Sequence, residues 1–168
     1  MGLIVQKFGG SSVANTERLQ NVARIIAETH RRGDQVLAVL SAQGDTTDEL
    51  IEKAAEINPK ASKREMDMLL STGEQISCSL CAMALEGMGL PVVSLTGWQA
   101  GFQTNSSYSN ARIKKINAER VQSELDRSHS IVIVTGFQGI NKYGDITTLG
   151  RGGSDTSAVA LAAALKAD

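Results

Sequence analysis

The segment Thr147-Thr148-Leu149-Gly150-Arg151-Gly152-Gly153-Ser154-Asp155-Thr156-Ser157 sets one arginine among three glycines, directly ahead of an alanine-rich helical pattern. A guanidinium in that position can hold a carboxylate through a bidentate pair, and the N–H groups of the helix start would face the same space. Ser154 can cap that helix, line the same space, or do both. Near the start of the chain, Lys7-Phe8-Gly9-Gly10-Ser11-Ser12 places two glycines and two hydroxyls between an apolar run and a helical pattern. Backbone N–H groups can approach an anion closely there, with Lys7 adding charge; the alternative is a plain tight turn. Neither G-x-x-x-x-G-K-S/T nor G-x-G-x-x-G spacing is present, so this is not a P-loop or a dinucleotide fingerprint.

Two further clusters belong to the same chemistry. Ser41-Ala42-Gln43-Gly44-Asp45-Thr46-Thr47-Asp48 closes an apolar strand immediately before a helix. Thr46, Thr47 or Asp48 can be simple N-caps, whereas Ser41 stands at the strand end where open α/β sheets bind ligands. On the helical pattern from Lys63 to Gly87, the stripe Met66, Leu69, Leu70, Gly73, Ser77, Leu80 and Ala84 is read as the packed face, with Glu74 at its edge. A carboxylate partly inside such a face needs a cation or several donors; the alternative is a glutamate reaching to solvent.

These residues need strands to end beside one another and helices to begin there. Leu3 to Phe8 reads as a strand, a helix follows from Thr16, and Gln35 to Ser41 is a buried strand. Asp48 to Ile57 and Lys63 to Gly87 read as helices, Pro91 to Thr96 as a strand, and Gly97 to Asn110 as an exposed loop. A short strand over Arg112 to Ile116 and a helix over Ala118 to Asp126 follow. The apolar strand Ser130 to Thr135 then leads to a hairpin around Asn141 to Asp145 and to the last helix, which runs through Lys166. Strands alternating with helices imply a mainly parallel sheet covered on both faces.

Composition narrows the class. The 168 residues are 42% hydrophobic and 21% charged, enough apolar content for one packed domain. Seventeen basic against eighteen acidic residues leave a net charge of -1, so no broad field recruits nucleic acid or an anionic membrane. Cys78 and Cys81 are expected to be buried, reduced thiols. The opening Met-Gly-Leu-Ile-Val-Gln lacks a basic n-region, Gln6 spoils a myristoylation pattern, and no apolar run approaches the roughly 20 residues of a membrane span. The expected setting is cytoplasmic, without membrane partners.

Lys-Phe-Gly-Gly-Ser-Ser, Ser-Ala-Gln-Gly-Asp-Thr-Thr-Asp-Glu-Leu, Glu-Met-Asp-Met-Leu-Leu-Ser-Thr-Gly-Glu, Thr-Gly-Phe-Gln-Gly and Thr-Leu-Gly-Arg-Gly-Gly-Ser-Asp occur in this order across almost the whole chain. Together they resemble the signature segments of aspartate kinases, within the wider amino-acid kinase superfamily. Gln43 departs from the methionine common in relatives, which should alter loop packing more than chemistry. The resemblance implies an α/β fold, a three-layer αβα sandwich of the carbamate-kinase type with a mainly parallel sheet, of which this chain is the N-terminal lobe. It further implies transfer of the γ-phosphoryl group of ATP to the β-carboxylate of L-aspartate, the first step of lysine, threonine and methionine biosynthesis.

The same resemblance implies residue roles. Lys7, Phe8, Gly9 and Gly10 would contact the ATP phosphates, Lys7 and Asp155 would be catalytic, and Asp155 would organise Lys7. Arg151 would take the α-carboxylate of aspartate and Glu74 its α-ammonium, both pairs largely desolvated. Ser41, Thr47, Phe137, Gly152, Gly153 and Ser154 would line the same pocket. Mg²⁺ would be held mainly by the nucleotide, with no metal-ligand set supplied by the chain. Relatives carry a second, nucleotide-binding half and usually regulatory ACT domains, so this chain is expected to be a part incomplete for catalysis, and the full-length form a homo-oligomer. Rival readings are another amino-acid kinase, a non-catalytic truncated binding module, or a dinucleotide-binding oxidoreductase; the missing glycine fingerprint opposes the last.

Overall fold

The computed structural model describes residues 1–128 and 130–168. Its centre is a parallel sheet in the order β1-β2-β6-β3, built from β1 (Leu3–Phe8), β2 (Gln35–Leu40), β6 (Ile131–Thr135) and β3 (Val92–Leu95). β1 and β2 align Leu3 with Gln35 through Phe8 with Leu40, and β2 and β6 align Leu37 with Val132 through Leu40 with Thr135. β2 and β6 are nearly all apolar because both faces are covered.

The pleat sorts those side chains onto two cores. Val36, Ala38, Leu40, Ile131 and Ile133 pack with α1 (Thr16–Arg31) and α3 (Lys63–Gly87), where Leu19, Ile26, Cys78, Cys81 and Leu85 are buried. Leu37, Val39, Val132 and Val134 pack on the other face with α4 (Glu119–Arg127) and α5 (Gly153–Ala164), through Val121, Leu125, Ala158 and Leu161. The result is the expected three-layer αβα arrangement. Both cysteines are buried free thiols, and burial pushes Cys81 up to about 12. α2 (Thr46–Ile57) packs on α3 and buries no residue completely.

Several expectations require correction. The stretch read as an exposed loop contains β4 (Phe102–Thr104), in which Phe102 is wholly buried and Thr104 is 4% exposed. Three residues are too few for alternation to be legible, and flanking Gly101 reads as loop. That glycine sits at φ +96°, and a Cβ there would stand 1.8 Å from the Asn117 carbonyl oxygen. β4 belongs to a second sheet, ordered β5-β4-β7-β8, with β5 (Ile113–Ile116), β7 (Gln138–Ile140) and β8 (Ile146–Thr148). This sheet is mixed: β4 is parallel to β7, while β4–β5 and β7–β8 are antiparallel. The hairpin expected around residues 141–145 is the β7–β8 turn, where Asn141 Oδ1 accepts from the N–H groups of Tyr143 and Asp145.

Neither proposed cap is used. α2 starts at Thr46 after Asp45, and α5 starts after Gly152 at φ 74°, neither with a side-chain cap bond. On α3 the buried face is rotated from the expected stripe. It runs Asp67, Leu70, Ser71, Glu74, Ser77, Cys78, Cys81 and Leu85, while Leu80 is 40% exposed. α3 is also long and apolar enough, by length and composition, to cross a membrane, contrary to the sequence estimate. Its packing against α1, α2, β3 and β8 accounts for that apolar content.

Candidate active site

One cleft of about 300 Å³ is lined by Lys7, Ser41, Ala42, Thr47, Glu74, Phe137 and the run Gly150 to Asp155. It opens where β1, β2 and β6 end, as parallel topology requires when helices begin beyond the carboxyl ends of strands. Lys7 is the penultimate residue of β1, and Ser41 follows β2. Phe137 follows β6, and α5 contributes its first turn. The fold thus brings the sequence-predicted Lys7, Ser41, Thr47, Glu74, Phe137, Arg151, Gly152, Gly153, Ser154 and Asp155 together.

Phe8, Gly9 and Gly10 lie outside the lining. The Phe8 side chain packs towards α1 and borders a separate surface hollow with Ser11, Ser12, Arg18 and Val22. Gly9 stands beside the lysine: a Cβ there would be 3.4 Å from Lys7 Nζ. Gly10 leans on the turn after β2, its carbonyl accepting from Gly44 N–H at 2.9 Å. Gln43 holds the same region through Nε2 donating to the Val13 carbonyl at 2.8 Å, a loop-packing contact.

Lys7 Nζ lies 3.0 Å from Asp155 Oδ1, with the two side chains 32% and 69% exposed. A pair so open contributes at most about 1 kcal/mol to folding, so its consequence is the placement of the ammonium. Ser41 Oγ donates to Ser154 Oγ at 2.9 Å, tying the end of β2 to the first turn of α5. In that turn the N–H groups of Ser154 and Asp155 have no backbone acceptor among the described residues, which leaves partial positive charge at the cleft wall.

Glu74 is not an edge residue. It is 2% exposed, and Oε2 has no hydrogen-bond partner among the described residues. Burial pushes its carboxyl up to about 8. Arg151, by contrast, is exposed. Both charges were expected to be largely desolvated; Glu74 is dry and Arg151 is open.

Phe137 carries a signal the sequence did not show. Its φ of 77° is costly for a bulky residue, and two contacts hold it there. Its N–H donates to Ser157 Oγ at 3.0 Å and its carbonyl accepts from Leu149 N–H at 2.7 Å. Gln138, unassigned from sequence, is wholly buried behind the cleft: Nε2 donates to the Ser71 carbonyl at 2.6 Å and Oε1 accepts from Thr135 Oγ1 at 2.8 Å. Asp67 was missed as well, having been placed off the packed face of α3. Shifting the apolar stripe by one position would have exposed both Asp67 and Glu74 as buried acids.

An open α/β site with a lysine–aspartate pair, a glycine-flanked arginine and a buried carboxylate has a matching class. The chain belongs to the amino acid kinase family, whose model matches residues 2–168. All of the chain aligns at 58% identity with the aspartokinase of Geobacillus stearothermophilus, and at 57% with aspartokinase 2 of Bacillus subtilis, spanning 41% of each relative's length. Among solved structures it is similar to the aspartate kinase of Synechocystis, at 48% identity and a TM-score of 0.83, covering 99% of this chain and 27% of that one. It is also similar to Escherichia coli aspartokinase III in complex with aspartate and ADP, at 26% identity and a TM-score of 0.81, covering 99% and 47%.

Proposed function

We propose that this chain forms the amino-acid-binding and phosphate-binding part of an aspartate kinase, which phosphorylates the β-carboxylate of L-aspartate with ATP. The observation that carries the reading is the composition of the cleft: Glu74, Arg151 and the Lys7–Asp155 pair line one space of about 300 Å³. Glu74, with a bare oxygen in a dry position, suits the α-ammonium. Arg151 suits the α-carboxylate. Ser41, Thr47, Phe137 and Ser154 bound the side-chain space between them.

The acceptor is already an anion, so no general base is required. The difficulty is bringing a carboxylate to a polyphosphate, and charge placement offsets that repulsion. Lys7, fixed by Asp155, would meet the transferring phosphoryl group beside the partnerless N–H groups of α5. Among the described residues no three His, Cys, Asp or Glu side chains converge to hold a metal. In this reading Mg²⁺ is the counter-ion of the nucleotide, where it would neutralise phosphate charge, and no step of the chain's own is routed through it. A role in lysine, threonine and methionine biosynthesis, a cytoplasmic setting and homo-oligomeric assembly complete the proposal.

Calorimetric titration of L-aspartate into the 168-residue chain tests it. We expect one site, released protons at pH 7 as the ammonium ionises Glu74, and a loss of about 2–5 kcal/mol in Glu74→Ala, the cost of stripping a partner from a buried charge. Arg151→Ala should lose less, because that residue is exposed. Unchanged affinity in Glu74→Ala would overturn the reading.

A further inference from the structure

Asp67 is buried completely on α3, yet it pairs with no cation among the described residues. Its two oxygens instead accept four hydrogen bonds. Oδ1 accepts from Thr148 Oγ1 at 2.8 Å and from Ser109 Oγ at 3.1 Å. Oδ2 accepts from the backbone N–H groups of Thr148 and Ser109, each at 2.9 Å. A dry carboxylate demands such saturation. The donors come in matched pairs from two segments far apart in sequence: β8, and the turn around Ser109, which is held at φ 66°.

β8 leads into the cleft, and the turn is tied to β8. Thr148 lies three residues before Arg151, and Ala111 N–H donates to the Thr148 carbonyl at 3.0 Å, so the turn and β8 are bound to each other as well as to Asp67. On α3 the same face continues through Ser71, whose carbonyl takes the Gln138 side chain, to Glu74. Asp67 and Glu74 are separated by two turns of a rigid helix, roughly 10 Å.

We propose that Asp67 is a positioning residue that fixes the spacing between the two ends of the amino-acid site, by locking the Arg151 loop through Thr148 to the helix that carries Glu74. This rests on the aspartate-kinase reading above. A neutral apolar side chain would pack α3 against β8 without the cost of a buried charge, but would let the strand slide along the helix; four convergent donors define one register.

Thr148→Val removes the hydroxyl bond while keeping shape and the backbone N–H, Thr148→Ser restores the hydroxyl, and Thr147→Val is the control. Thr147 Oγ1 makes an equally buried bond, at 2.6 Å, to Thr104 instead of Asp67. Each variant of the 168-residue chain would be melted, titrated with L-aspartate, and compared with the unaltered chain by amide NMR shifts over residues 150–153. Expected are a roughly ten-fold or greater loss of L-aspartate affinity and displaced shifts in Thr148→Val, the scale of small misplacements at a site. Thr148→Ser should match the unaltered chain, and Thr147→Val should melt earlier without losing affinity. If the unaltered chain binds L-aspartate and Thr148→Val binds it equally, or the shifts over residues 150–153 stay put, the positioning role is overturned alone. If the unaltered chain takes up no L-aspartate, the aspartate-kinase reading falls first and this proposal with it.

Discussion

A glutamate in the unfolded chain titrates near 4.5, whereas burial pushes folded Glu74 up to about 8. Between those values the folded chain holds a proton that the unfolded chain has released, so stability falls as pH rises through this window. The contribution is present at the acid end and lost by about pH 8, a few kcal/mol at most. Denaturant unfolding at pH 5.5 and 8 should show that loss in the unaltered chain, and Glu74→Gln should flatten it. L-aspartate should reverse part of it, because an ammonium beside Oε2 favours the ionised form. Parallel pH profiles for the two proteins would assign the slope to other groups. The residue types here were legible in the sequence, Glu74 included. Its dryness was not, because a glutamate one position off an apolar stripe looks the same whether the stripe or the glutamate faces the core.

At the scale of elements, α3 organises the site, and its two glycines differ in what surrounds them. A Cβ on Gly73 would stand 2.9 Å from Ala42 Cβ and 3.5 Å from Thr46 Cγ2, whereas Gly87 has nothing within 4 Å. Gly73→Ala should cost about 1–3 kcal/mol in overpacking, offset in part by about 1 kcal/mol of helix propensity. Ala42 lines the cleft, so the same change should weaken L-aspartate binding. Gly87→Ala meets no obstacle and should gain up to about 1 kcal/mol. Denaturant midpoints measure both, and a reversed order would mean that close packing of α3 on the turn after β2 is not what Gly73 provides. The extent and helical period of α3 were readable from the apolar spacing and the glycines at its end. The rotation of its buried face was not.

Across the whole molecule, β1 is an edge of the central sheet. The carbonyls of Gly2 and Phe8 accept from Gln35 and Ser41, so the even-numbered residues of β1 face β2. Leu3 faces outward, its N–H donating to Asp168 Oδ2 at 2.8 Å and its carbonyl accepting from Asp168 N–H at 2.9 Å. By the same alternation the backbone N–H and C=O groups of Val5 and Lys7 point away from β2, and neither N–H has a partner among the described residues. In native-state hydrogen exchange of the 168-residue chain, the amides of Val5 and Lys7 should exchange through local fluctuation, orders of magnitude faster than those of Ile4 and Gln6. Equal protection of all four would show that a further segment or another molecule covers this edge.

The sequence by itself determined the order of strands and helices, the apolar content of β2 and β6, and the presence of Lys7, Glu74, Arg151 and Asp155 at element ends or on one helix. Local periodicity and turn chemistry act over a few residues, and those features are local. Tertiary structure alone decided that β4 is a strand, that Ser154 meets Ser41 in place of capping α5, that the Phe8 side chain leaves the cleft, and which face of α3 is dry. Each depends on a partner far along the chain: Asp67 meets Thr148 across 81 residues, and Ser41 meets Ser154 across 113. A periodic pattern states how side chains are spaced around an element but carries no information about which neighbour covers them; only the packed sheet supplies that.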